Sequence, residues 1–129
     1  MRCLPLIGAV LLLAASGPVR AEETYEVNAA TCGGVYGALA DTRGRMSETF
    51  PAFAGTNLNQ LDYAARRDKV TGSDSAAQAG QLAYETRFKV LLTRDILDRK
   101  PNNIAAILKL QVRCDAANGF TPTFIVTPK

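Results

Sequence analysis

The chain contains no histidine. That single absence removes Ser-His-Asp and Cys-His nucleophile arrangements and every histidine-containing zinc or copper site. Three cysteines are present, at positions 3, 32 and 114, too few and too scattered for a thiolate metal cluster or a CxxC redox motif. No metal site and no cofactor is expected. The carboxylates that stand out are Glu48, among apolar residues, and Glu85, beside an apolar helical stripe. A hydrolase acting through acids alone needs two of them facing each other across a cleft. Gly33, Gly34 and Gly37 do not form a phosphate-binding loop, because neither GxGxxG nor a Walker lysine is present. The densest basic cluster, Arg66-Arg67-Asp68-Lys69, is a candidate contact for an anionic surface, although basic residues also gather near helix C-termini to offset the helix dipole.

The elements that must position these groups begin after an unusual start. Met1-Arg2-Cys3 precedes an apolar run from Leu4 to Ala15, then Gly17-Pro18 and Val19-Arg20-Ala21. This is the order of a secretory signal, with cleavage expected after Ala21. The run is too short to cross a bilayer, which needs about 20 apolar residues, so residues 1–21 read as a signal peptide and residues 22–129 as a single helical domain. Two of the fifteen basic residues, Arg2 and Arg20, lie in the signal, leaving thirteen against twelve acidic residues. So even a balance argues against a nucleic-acid partner. Cys3 leaves with the signal. In an oxidising exported compartment, periplasmic or secreted, Cys32 and Cys114 are then expected to pair. The bond would close a loop of about 80 residues, for which chain entropy gives roughly 4 to 5 kcal/mol and practice usually 2 to 4.

The fold class expected for residues 22–129 is all-α, a disulfide-stapled bundle of about four helices with an extended C-terminal tail. The polar residues 22–26 read as extended or frayed. Asn28 caps a first helix whose Cys32, Val35, Tyr36 and Leu39 share one face. The glycines on it imply that another backbone approaches closely. Residues 43–56 read as a long loop carrying Met46, Phe50 and Phe53, which either plug the core or face a partner. Asn57 and Gln60 resemble a capping box for a short second helix with Leu58, Leu61, Ala64 and Ala65 inward. Ser73 or Asp74 caps a long third helix ending near Lys100 and Pro101. It has two stripes, one with Ala77, Gly80, Tyr84, Phe88, Leu91, Leu92 and Ile96, the other with Ala79, Leu82, Val90 and Leu97. Two stripes require either a central position in the bundle or a second copy of the chain. Asn102 or Asn103 caps a fourth helix with Ile104, Ile107, Leu108, Leu110 and Cys114 on one face, Lys109 and Arg113 on the other, and Asn118-Gly119 as its stop. The tail, through Phe120 and Phe124, packs along the bundle.

Three functions follow as expectations. The first is a non-enzymatic exported accessory protein that binds a protein partner or forms a homodimer, with Met46, Phe50, Phe53, Arg66 and Arg67 as candidate binding residues. The second is a carrier of a small apolar ligand held near Gly33, Gly37 and Phe88. The third is a carboxylate hydrolase using Glu48 and Glu85.

Overall fold

The computed structural model describes residues 25–51 and 59–121, which form four helices and, among the described residues, no strand. The helices are α1 (Ala29–Thr49), α2 (Gln60–Thr71), α3 (Ser75–Asp98) and α4 (Asn102–Ala117). The all-α fold is as the sequence predicts. Leu58, Phe53 and Phe124 lie outside the described residues, as do the apolar start and the last eight positions.

Helix α1 is the centre of the molecule. Every residue from Thr31 to Ala40 is buried, and the helix packs against α2, α3 and α4 together. Such a position demands little side-chain volume on at least one flank, and the glycines supply it. A methyl group added at Gly34 would overlap Tyr84 Cβ and stand 2.9 Å from the backbone nitrogen of Glu85. One added at Gly33 would come 2.7 Å from Thr71 Cγ2 and 2.8 Å from Gln81 Cγ. The glycine cluster is therefore a close crossing of α1 by α3 and the end of α2. The close packing it permits is set against the roughly 1 kcal/mol per glycine lost in helix propensity.

Two boundaries differ from the sequence expectation. The segment from Arg43 to Thr49 continues α1, because Met46 falls on the buried face one turn beyond Thr42 and is itself fully buried. Gly44 sits exposed with nothing within 4 Å of an added methyl, so its cost is only local. The helix ends at Phe50, whose N–H donates to Met46 O at 2.8 Å, just before Pro51. Helix α2 starts later than expected, with Asn59 as its cap. Asn59 Oδ1 accepts from Asp62 N and Asp62 Oδ2 accepts from Asn59 N, a reciprocal capping box. Its inward face is Tyr63, Val70 and Thr71, with Ala64 partly covered. Leu61 is 79% exposed and Ala65 is exposed, contrary to the apolar pattern.

The other caps agree with the sequence or improve on it. Asn28 Oδ1 accepts from Thr31 N, and Asp74 Oδ1 accepts from Ala76 N and Ala77 N. Helix α3 ends in a left-handed residue, Arg99, at φ 56°. At α4 neither asparagine caps. Asp95, buried in the last turn of α3, accepts from Asn103 N at 2.6 Å and Ile104 N at 2.9 Å. Asn103 Nδ2 adds a third bond to the same carboxylate. Three donors satisfy this buried acid, and a carboxylate at the positive end of a helix is favoured as well.

The Cys32–Cys114 disulfide joins α1 to α4 across 82 positions of sequence, with Cα atoms 5.6 Å apart. Ile104, Ile107, Leu108 and Leu110 bury the rest of the α4 face around it, while Lys109 and Arg113 lie outward. Tyr25, expected to be frayed, packs edge-on against Tyr84 and Phe88 at 5.7 and 5.0 Å.

Candidate functional site

Next to the disulfide lies a buried polar network with Asp115 at its centre. Tyr36 on α1 donates its hydroxyl to Asp115 Oδ1 at 2.5 Å, and Arg66 Nη1 on α2 donates to the same oxygen at 2.8 Å. Gln111 Nε2 donates to Asp115 Oδ2 at 3.4 Å, and Gln111 Oε1 accepts from Tyr63 OH at 3.3 Å. The Arg66 guanidinium also lies over the Phe120 ring, 4.8 Å from its centroid, and Tyr36 meets the edge of that ring. Burial first, and the bond to Asp115 second, push Tyr36 ionisation far above the ordinary tyrosine range. Three helices meet in this network, and each charge in it has a partner. Its chemistry is structural.

Arg66 is thus spoken for, and Arg67 is engaged too. Arg67 Nε donates to Asp68 at 3.0 Å, and its Nη1 lies 4.0 Å from Glu85 Oε1. The expected basic patch is split between two internal contacts, because Arg66 and Arg67 fall in the middle of α2, on its inward side, rather than in its last turn. Met46 belongs to the core, and Phe50, partly buried, packs against it. These aromatic and thioether groups close the bundle instead of facing outward.

Glu85 sits in the notch left by Gly37, where an added methyl would overlap its carboxylate. It accepts from Gln81 Nε2 at 2.7 Å and pairs with Lys89 at 3.1 Å. Lys89 also binds Asp41, the largest reason why its ammonium is held above the usual lysine range. Glu48 is exposed and lies eleven positions along α1 from Gly37, about 16 Å at 1.5 Å per residue. Carboxylate pairs in glycoside hydrolases stand about 5 to 9.5 Å apart, so the structure does not bring these two acids together. Among the described residues no group of three or more His, Cys, Asp or Glu is placed to hold a metal ion.

Phe88 is fully buried, and the glycine face is filled by Gln81, Tyr84 and Glu85. A cleft of about 460 Å³ does open beside it, between the end of α2 and the start of α3. Arg67, Thr71, Gln78, Gln81, Leu82 and Glu85 line it, so its walls are mixed.

Besides Leu61 on α2 and Val112 on α4, the exposed large apolar side chains gather on the outer face of α3. Leu82 is 60% exposed, Val90 53% and Leu97 77%. Thr86 and Thr93 lie between them and, with Val90 and Leu97, line a shallow groove bordered by Lys89, Arg94 and Asp98. The inner face of the same helix carries Gln81, Phe88, Leu92 and Asp95, all buried. The second stripe is therefore uncovered by the rest of the described chain, since α1, not α3, occupies the centre. No helix of the described residues is long and apolar enough to cross a membrane.

Sequence reasoning missed Asp95, Tyr63, Gln111 and Asp115. For three of them a signal existed. Asp95 lies three positions after Leu92 and seven after Phe88, while Gln111 and Asp115 continue the Ile104, Ile107, Leu108 face at helical spacing. Polar residues on an apolar face are the expected mark of an internal network. No family model, no curated protein and no solved structure matches this chain.

Proposed function

We propose that the chain is an exported, non-enzymatic accessory protein that binds a protein partner through the outer face of α3. The observation that carries the reading is the exposure of Leu82, Val90 and Leu97 in one line on a helix whose opposite face is locked into the core. Leaving a leucine or valine in water forgoes about 1.5 to 3 kcal/mol of burial. A row of three such residues, bordered by charge, is the form of a recognition surface. The other candidate groups support the same reading from the opposite direction. Glu85, Arg66 and Arg67 are occupied with internal partners, and Glu48 stands apart from them. Export is supported by the signal-like order of residues 1–21 and by the Cys32–Cys114 bond, which an oxidising compartment maintains.

The test is site-specific photocrosslinking in the producing cell. A photoreactive residue at Thr86 or Thr93 is expected to give one discrete crosslinked product, whereas the same group at Lys109, on the outward side of α4, gives none. Absence of any product from both α3 positions would overturn the proposal.

A further inference from the structure

The C-terminal stop of α4 is a place where the chain can react with itself. Asn118 is exposed, and it alone among the asparagines of the sequence precedes a glycine. The side-chain amide of an asparagine is open to attack by the backbone nitrogen of the next residue, and a glycine there has no side chain to obstruct the approach. The Gly119 nitrogen bonds to Asn118 Cγ while the Cγ–Nδ2 bond breaks, and ammonia leaves with the proton that the Gly119 N–H gives up. Water then opens the resulting succinimide. Cleavage at Cγ gives aspartate, whereas cleavage at the backbone carbonyl gives isoaspartate, whose main chain runs through the former side chain. No electrons change hands, and water is the co-reactant.

The native turn holds this reaction back. At a ψ of 5°, the Gly119 nitrogen eclipses the backbone nitrogen of Asn118 rather than its Cα–Cβ bond, and so lies away from Cγ. Gly119 keeps the turn by its left-handed φ of 69°. Phe120 N donates to Asp115 O at 2.9 Å and Gly119 N, more weakly, to Ala116 O at 3.4 Å. Asn118 Nδ2 is itself tied to Cys114 O at 2.8 Å. Beyond the turn, the Phe120 ring meets Tyr36 and lies under the cations of Arg66 and Lys69, while Arg66 Nη2 donates to Thr121 O at 3.3 Å. These contacts lie at a helix end, where local opening costs far less than global unfolding. We propose that Asn118 is a site of spontaneous deamidation whose rate is set by the undocking of Phe120.

The product does not restore what it replaces. An ionised carboxylate has no proton for Cys114 O, and its charge stands at the negative end of α4. Isoaspartate adds a main-chain methylene between α4 and Phe120, so the Phe120 N–H bond and the ring contacts no longer fit together. Conversion therefore loosens the cover over Arg66 and Asp115, and the share of loosened molecules grows with the age of the protein. None of this depends on what α3 binds.

The experiment is incubation of the oxidised protein at mildly alkaline pH, with the proteolytic fragment that follows Arg113 read by chromatography and mass spectrometry. The folded protein is expected to convert at position 118 several-fold more slowly than the same chain reduced and unfolded in urea. Phe120→Ala should raise the folded rate several-fold, and Phe120→Leu, which keeps apolar bulk without the ring, should fall between. Asn118→Gln should leave the fragment unchanged. Retained helical circular dichroism marks each variant as folded, so that an acceleration reads the turn and not the loss of the bundle. Wild-type conversion at the unfolded rate would overturn the gate, as would Phe120 variants that convert no faster than wild type. An unfolded chain that does not convert at 118 would overturn the site itself.

Discussion

Helices α1 and α3 both carry apolar residues around most of their circumference, yet their fates differ. Between Thr31 and Ala40 the first is buried on all sides, whereas the second is buried on one side and wet on the other. The difference lies in volume rather than in hydrophobicity. Helix α1 presents Gly33, Gly34, Gly37, Ala38 and Ala40, so three other helices can approach its axis. The outward face of α3 presents Leu82, Val90 and Leu97, which would hold a neighbour farther off. In a bundle this small, the central helix is the slimmest one, and two apolar stripes on a bulkier helix mark an outward-facing surface.

That comparison can be broken at the attachments of α1. Asp115→Ala removes the acceptor shared by Tyr36 and Arg66 and leaves a largely buried guanidinium without its partner. It should cost about 3 kcal/mol, seen as a lower midpoint in urea unfolding of the oxidised protein. A loss under about 1 kcal/mol would mean that the network contributes little to holding α1 in place.

The comparison is sharpened by two glycines of the same helix. Gly34→Ala must push apart the α1 and α3 backbones and should destabilise by about 2 kcal/mol despite its better helix propensity. Gly44→Ala meets nothing and should stabilise by up to about 1 kcal/mol. Equal effects, by thermal unfolding, would deny that the glycines at 33–37 serve the crossing.

The smallest effect expected is that of Tyr36→Phe, about 1 kcal/mol at neutral pH, but it has a pH signature. Folding holds the Tyr36 proton above the ordinary value of 10.0, so the unfolded chain binds fewer protons than the native one once pH exceeds about 10. The contribution of Tyr36 is therefore complete below that pH and is lost above it, at up to about 1.4 kcal/mol per pH unit. Tyr36→Phe should flatten this alkaline decline. An unchanged slope in chemical unfolding between neutral and strongly alkaline pH would contradict the burial of its hydroxyl.

Much of this architecture was legible in the sequence, for local reasons. Asn28 and Asp74 cap where they were expected because a cap needs only a short polar side chain at the first turn. The pairing of Cys32 with Cys114 was expected because they are the two cysteines left after the signal-like start, and their positions on two apolar helix faces agree with it. What escaped was non-local. The continuation of α1 through Gly44 depends on Met46 reaching the core, and the cap of α4 is delivered by Asp95 from the preceding helix. The inward turn of Arg66 depends on an acid 49 positions away. Composition cannot show such partners. The candidate site was half legible: both stripes of α3 could be drawn, but which one faced solvent was decided by the slimness of α1.

The disulfide and the central helix together impose a schedule on the growing chain. Synthesis proceeds from the N-terminus, so the helix that ends in the middle is made first. It stays without any of its neighbours until they emerge. Cys114 follows Cys32 by 82 residues, an interval on the order of 4 to 16 seconds at typical elongation rates. The glycine-rich segment lacks the packing that justifies its low helix propensity until Thr71 to Glu85 have emerged, and its covalent tie until Cys114 follows. Whatever protects the nascent chain must therefore act on α1, whose stretch from Thr31 to Ala40 the finished protein hides.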